Sequence, residues 1–319
     1  MLKLDTWQIT MIIMLGLLLI NYLVIKFLIS THIATEIVDS SEAFESREGF
    51  RGDVNTDDQV EEFTNSNLYD NFYVKVYDML VQGESRTAVE VDFTLGWMKK
   101  IQPDVSKLHV LDIGSGIGGH VEAFVKAGCG DVKGIDRSEA MVLRSRKLYP
   151  DNTYIVGDVE TPTIFSAGQF NLLTMYYFTI YYMPNKAQIL RNLFTWMSPG
   201  GALIVHMVNR DKFDPILESA SPYMAFSLQK YAKERIRKST VTFDKFEYTA
   251  EFTNQEHHAQ LDETFKFKDG RIRRNVHTLH MPVMEKLVTD FEEAGFVYKE
   301  FIDLMPIGYE YQYLFCFVR

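Results

Sequence analysis

The sequence predicts an α/β protein built on a doubly wound, mostly parallel sheet with helices on both faces. Three observations carry that expectation. Short β runs and helical runs alternate from His109 to Met207. A glycine-rich turn, Gly114-Ser-Gly-Ile-Gly-Gly119, stands between the first of those β runs and the helix that follows. Pro199-Gly-Gly201 breaks the last helix before another β run. Parallel neighbours need long crossover connections, which helices supply, so this alternation points to βαβ winding.

The elements follow in order. Thr6–Ile25 is twenty residues without a charge, the length of a bilayer-spanning helix, with Trp7, Tyr22 and Lys26 as interfacial anchors. The span with its flanks makes a transmembrane anchor over 1–30. No small-residue cleavage site follows closely, which disfavours a signal peptide. Residues 31–67 are acidic, rich in Ser, Thr, Asn and Asp, and lack apolar periodicity, so they read as a flexible linker. Residues 68–319 form the globular domain. Tyr69, Tyr73, Tyr77 and Leu80 recur at helical spacing, and a second helix covers Thr87–Ile101 before Pro103. Strands are expected at His109–Ile113, Asp131–Ile135, Thr153–Val156, Phe170–Met175 and Ala202–Met207. Helices are expected at Gly119–Ala127, at Ser138–Leu148 with Ser138 as cap, and at Asn185–Met197. Residues 209–280 break the order: a helix near Tyr223–Lys238, then alternating strands around Thr240–Thr253 and Glu263–His280 with an Asp269-Gly270 turn. This block reads as an antiparallel β insertion. A helix at Met284–Ala294 and strands at Phe296–Leu304 and Tyr311–Val318 close the chain, giving seven strands in the main sheet.

Charge is unevenly spread. The formal net charge is -10, and residues 31–68 alone hold ten acids and two bases. The weakly acidic remainder argues against duplex nucleic acid, which needs clustered positive charge. Two isolated cysteines, Cys129 and Cys316, suggest neither a disulfide framework nor a metal site. The basic cluster Lys230, Lys233, Arg235, Arg237, Lys238 and the trio Arg271, Arg273, Arg274 read as solvated faces.

The chemistry concentrates at the ends of the expected parallel strands. Gly114, Gly116 and Gly118 let the backbone turn sharply and approach a ligand. Gly114, Gly116 and Gly119 also satisfy the G-x-G-x-x-G dinucleotide spacing, so a nicotinamide enzyme enters the reckoning. Asp112, two residues before Gly114, would repel a pyrophosphate but can orient an ammonium group. Asp136 ends the next strand, where its carboxylate can accept both hydroxyls of a ribose. Gly157-Asp158 ends the third, where a carboxylate can accept from the exocyclic amine of adenine. Together they describe a nucleoside that bears an amino acid and no phosphate.

This set resembles the class I, Rossmann-like S-adenosylmethionine-dependent methyltransferases over roughly 68–319. The resemblance implies S-adenosyl-L-methionine as cofactor, bound by Asp112, Gly114, Ser115, Gly116, Asp136, Arg137, Gly157, Asp158 and Val159, with Met175 and Tyr77 beside it. It implies an antiparallel last strand inserted into the seven-stranded sheet. Ser198-Pro-Gly-Gly201 looks like the family's usual turn, while Asn171 stands where the family commonly has Asp. Within the family the chain is most similar to small-molecule N-methyltransferases. The matching pieces are Tyr73-Val-Lys-Val-Tyr-Asp78 and the stretch Asp262–Met281.

The implied reaction is in-line transfer of a methyl group to a small molecule, an amine, in which the protein chiefly supplies proximity and alignment. The candidates for a base or substrate contact are His206, Tyr177 and His277, with Tyr176, Tyr181, Asn209 and His280 nearby. The run Tyr176-Tyr-Phe-Thr-Ile-Tyr-Tyr182 could instead line a pocket for a cationic amine. A lipid or membrane-protein acceptor, and a non-catalytic cofactor-binding module, remain alternatives. The anchor and the cofactor together imply a single-pass membrane protein whose catalytic domain faces the cytosol.

Overall fold

A computed structural model describes residues 60–65, 67–81, 83–215, 235–256 and 258–319, all within the unit Asp53–Arg319. The expected anchor over 1–30 and most of the expected linker lie outside the described residues, as does most of the helix expected near 223–238. Among the described residues no helix is long and apolar enough to cross a membrane.

In chain order the elements are β1 (Val60–Thr64), α1 (Asn71–Val81), α2 (Gly83–Met98), β2 (His109–Ile113), α3 (Gly119–Lys126), β3 (Asp131–Asp136) and α4 (Glu139–Leu148). They continue with β4 (Thr153–Val156), β5 (Phe170–Met175), α5 (Lys186–Trp196), β6 (Met197–Val208), β7 (Lys238–Thr242) and β8 (Phe246–Asn254). The chain closes with β9 (Ala259–Phe267), β10 (Ile272–Leu279), α6 (Met284–Glu293), β11 (Val297–Asp303) and β12 (Gln312–Val318).

Seven strands form one sheet in the order β11-β12-β6-β5-β2-β3-β4. Strands β2 to β6 pair in parallel, and β12 enters antiparallel between β6 and β11. Neighbouring residues of the central strands alternate between two cores. Leu111, Leu173 and Val205 pack with Ile189, Leu193, Trp196, Leu287 and Phe291 of α5 and α6 on one face. Val110, Leu172 and Ile204 pack with Val91, Leu95, Val121 and Phe124 of α2 and α3 on the other. A strand buried on both faces needs an unbroken apolar run, and these strands carry one. Ser138 caps α4 as expected, its side chain accepting from Met141 N. Strand order reverses between β2 and β5, so the crevice at a topological switch point opens above their carboxyl ends. Asn171 lies at the opposite end: it accepts from His109 N at 2.8 Å and donates to Lys107 O at 2.9 Å, which ties β2 to β5.

The insertion is a second sheet in the order β1-β10-β9-β8-β7. Strands β7 to β10 form an antiparallel meander, with Gly270 at φ 90° in the turn between β9 and β10. Two boundaries differ from expectation. Val60–Thr64, inside the segment expected as linker, pairs in parallel with β10, with Val60 opposite Ile272. Its single inward side chain, Phe63, is too weak a period-2 signal among acidic neighbours to read as a strand. Lys238, expected to end a helix, instead opens β7 and pairs with Glu251.

Arg273 corrects a third expectation, that the basic trio is solvated. Its side chain is fully buried and lies over the rings of Phe63 at 3.8 Å and Phe72 at 4.7 Å. It donates to Asp70 Oδ2 at 2.7 Å and to Leu68 O at 3.1 Å. One guanidinium therefore fixes the segment before α1, and with it Tyr69, against the insertion sheet.

Candidate active site

The glycine loop connects β2 to α3 with Gly114, Gly116 and Gly118 all at positive φ, a region that costs an L side chain energy. A Cβ on Gly114 would lie 2.6 Å from Thr179 of the turn after β5, so the close approach requires glycine. A Cβ on Gly116 would meet nothing within 4 Å, so this part of the loop opens onto free space. Ser115 turns its hydroxyl beneath the loop toward Gly134, where it is buried without a hydrogen-bond partner.

Asp112 is buried, with Oδ1 accepting from Thr174 Oγ1 at 2.8 Å. Burial pushes its carboxyl up to about 6. Asp136 accepts from Gly116 N at 2.9 Å on Oδ2 and from Ser138 N at 2.8 Å on Oδ1. Burial raises its carboxyl above the usual range. Each oxygen of a carboxylate offers about two acceptor sites, so both Asp136 oxygens keep capacity for a pair of hydroxyls. Arg137 next to it is exposed. Gly157 N donates to Asp136 O at 2.9 Å, and exposed Asp158 holds its own turn by accepting from Glu160 N. The order foreseen for these acids is thus met in space: Asp112, Asp136 and Asp158 stand at the ends of adjacent β2, β3 and β4. A buried carboxylate whose burial is only partly offset by His120 and the Thr174 hydroxyl, beside an open loop and an acid with spare acceptor sites, fits a ligand with an ammonium and a ribose. Two expected contacts differ. Met175 is fully buried in the core, and Val159 is buried there with its carbonyl taken by Asn192. Met175 is the last residue of β5, a strand buried on both faces, and Val159 lies in the loop after β4 with its side chain in the same core.

His206 is also corrected. It is fully buried and burial lowers it to about 4. Its Nδ1 meets the carbonyl of Tyr177, which can only accept, so Nδ1 carries the proton. Its Nε2 lies 3.1 Å from Gln312 Oε1 and 3.2 Å from Arg86. Neither nitrogen is available to a substrate. Arg86 pairs with Glu90 at 2.8 Å, and Glu90 accepts from His120 at 2.9 Å. His120 stacks on Tyr176 at 4.1 Å between ring centroids, and Tyr176 shares a hydrogen bond with Thr94. Tyr177 sits at φ 52°, unusual for a bulky residue, with Arg86 4.8 Å over its ring. Tyr181 is fully buried, its hydroxyl accepting from Val208 N. Asn209 closes a local turn, and His280 lies beside Lys186, which donates to its carbonyl.

The insertion side holds a polar cluster of which His277 and the tyrosines of α1 and of the Tyr176–Tyr182 run were legible in sequence, but not the carboxylate that joins them. Glu263 of β9 accepts at Oε1 from Tyr248 at 2.6 Å and Tyr73 at 3.0 Å. At Oε2 it meets His277 Nε2 at 2.6 Å and Asn275 at 3.2 Å. Tyr182 Oη lies 2.5 Å from His277 Nδ1. Tyr69 packs edge-on against Tyr77, Tyr182 and His277. Glu263 carried no local signal beyond alternation in a strand, so its role emerges only from pairing β9 with β10 and covering both with α1.

Residues 110–201 match the family model described as methyltransferase domain. Over that stretch the chain thus carries a methyltransferase domain. The dTDP-3-amino-3,4,6-trideoxy-alpha-D-glucopyranose N,N-dimethyltransferase of Streptomyces venezuelae is 27% identical over 143 residues, 43% of this chain and 58% of that protein. The match therefore spans less than two thirds of that relative's length. Among solved structures, DesVI of Streptomyces venezuelae superposes with a TM-score of 0.56 and 20% identity, covering 77% of this chain and 98% of that one. A sugar N-methyltransferase from a Streptoalloteichus species gives 0.56 and 17%, covering 86% and 99%. CalS10 of Micromonospora echinaspora, an amino pentose methyltransferase solved with S-adenosylmethionine bound, gives 0.55 and 20%, covering 79% and 98%. At these identities the likeness establishes the fold.

Proposed function

We propose that the protein N-methylates a small-molecule amine by in-line transfer from S-adenosylmethionine, with an amino sugar as the acceptor class. The observation that carries this reading is the row Asp112, glycine loop, Asp136 and Asp158 along the carboxyl ends of β2, β3 and β4. When bound, the sulfonium supplies a methyl group already activated for displacement. The chain's own residues then align the acceptor and exclude water. Tyr69, Tyr77 and Tyr182, packed edge to face, suit an amine that arrives or leaves as a cation. The relatives' names, an amino-sugar N,N-dimethyltransferase and an amino pentose methyltransferase, support a sugar acceptor. We place the domain on the cytosolic face of a membrane, held by residues 1–30. The charge-free run Thr6–Ile25 and the basic residues Lys26, Arg47 and Arg51 after it support that placement.

Calorimetry with S-adenosylmethionine should show binding that Asp136→Ala weakens about 100-fold, as expected for two charge-assisted hydrogen bonds worth about 3 kcal/mol together. Incubation with labelled cofactor and dTDP-3-amino-3,4,6-trideoxy-alpha-D-glucopyranose should move label onto the sugar nitrogen. No binding to the wild-type chain refutes the cofactor. Label that lands on lipid or protein in cell extract, and never on an amino sugar, refutes the acceptor.

A further inference from the structure

We propose that Tyr182, His277 and Glu263 form a proton relay that deprotonates the acceptor ammonium, with Tyr182 Oη as the atom that meets the substrate nitrogen; this rests on the N-methylation reading above. The hydrogen-bond geometry sets the direction. Glu263 Oε2 can only accept as a carboxylate, so His277 Nε2, 2.6 Å away, holds the ring proton. In a ring with one proton, His277 Nδ1 is then the acceptor and Tyr182 Oη, 2.5 Å away, the donor. Burial alone would raise Glu263, yet His277 and hydrogen bonds from Tyr248 and Asn275 hold it below its ordinary value, so the relay ends in an anion.

Other groups face the relay from each packed element. Tyr73 from α1 and Tyr248 from β8 donate to Glu263 Oε1. Arg273 reaches it only through Asn275, donating to Asn275 Oδ1 at 2.8 Å. Tyr69 is hydrogen-bonded to Tyr182.

Two links place Tyr182 beside the cofactor face. Tyr182 belongs to the turn Thr179–Tyr182, whose Thr179 crowds Gly114. Tyr69, in contact with both Tyr182 and His277, accepts at its carbonyl from Ser138 Oγ at 2.7 Å, two residues from Asp136. In the step itself an N–H bond of the substrate ammonium breaks and its proton passes to Tyr182 Oη. The proton of Tyr182 passes to His277 Nδ1. The substrate nitrogen keeps the electron pair with which it attacks, and the new imidazolium is balanced by Glu263. The ring returns the proton to water when the product leaves.

The test uses the full-length chain with S-adenosylhomocysteine bound and ring-labelled histidine. Nitrogen NMR should show the His277 ring proton on Nε2, with that tautomer preference lost in Glu263→Gln. With the dTDP-amino sugar as acceptor, Tyr182→Phe should lower kcat about 100-fold near neutral pH, the size of a lost general base. Cofactor KM should stay unchanged, and the deficit should shrink at high pH where the amine is already neutral. A merely structural cluster would give a loss independent of pH. A ring protonated at Nδ1, or wild-type turnover by Tyr182→Phe across the pH range, overturns the relay. If the wild-type chain methylates no amine, the functional reading falls, and the tautomer still decides whether the relay can exist.

Discussion

Arg86→Ala is expected to destabilise the domain by about 3–5 kcal/mol, because it strands a buried charge. Arg86 and Glu90 are one helical turn apart on α2 and both are buried, with Glu90 held at about 2. Burial alone would raise Glu90, and the Arg86 guanidinium is the largest opposing influence. Without it, His120 still meets the carboxylate, a weaker counterweight to burial. The same guanidinium donates to His206 and lies 4.0 Å over Tyr309 and 4.8 Å over Tyr177. The loss therefore also frees the turn that carries Tyr177. Replacing both charges by similar-sized apolar residues, Arg86→Met with Glu90→Leu, should recover most of the stability. The network also sets an acid limit. His206 is lowered to about 4 by burial and by Arg86, so the unfolded chain binds a proton first. Stability present above about 6.5, the ordinary histidine value, is therefore lost as pH falls from there toward 4. Urea denaturation of wild type and variants between pH 4 and 8 checks both points. A cost under 1 kcal/mol for Arg86→Ala would refute the stranded-charge account.

Asp112→Asn is expected to act in opposite directions on stability and on ligand binding. Burial lifts this carboxyl to about 6 from an ordinary value near 4. The folded state thus binds the proton more tightly than the unfolded one. The contribution is favourable below about 4 and is lost as pH rises through 6. Two pKa units correspond to about 3 kcal/mol, so Asp112→Asn should make the ligand-free domain more stable by about 2–3 kcal/mol at pH 8 and leave it unchanged near pH 4. Cofactor affinity should fall in the same variant, because the ligand's ammonium loses its buried counter-charge. In the wild type, affinity should weaken as pH drops through about 6 and Asp112 takes up its proton. Thermal denaturation and calorimetry on one preparation read both effects. A variant that is less stable at pH 8, or that binds as tightly as wild type, would count against an ammonium site at Asp112.

Sequence reading by itself determined the wound parallel sheet, the antiparallel insertion, the glycine loop and the acids at three adjacent strand ends. Those features are written locally. Apolar runs set strands, Ser138 sets a cap, and Gly114, Gly116 and Gly118 mark backbone that other residues adopt at a cost. Tertiary structure alone decided what the polar side chains beyond the loop do. His206 and His277 look alike in sequence, each a histidine in a β run. One is silenced by Arg86, 120 positions away, and the other is aligned by Glu263 and Tyr182. Tyr73 meets Glu263 across 190 positions, and Arg273 holds Asp70 across 203. No periodicity encodes such pairs. They exist because α1 and β1 fold back onto the insertion sheet, and burial there forces each polar group to find a partner.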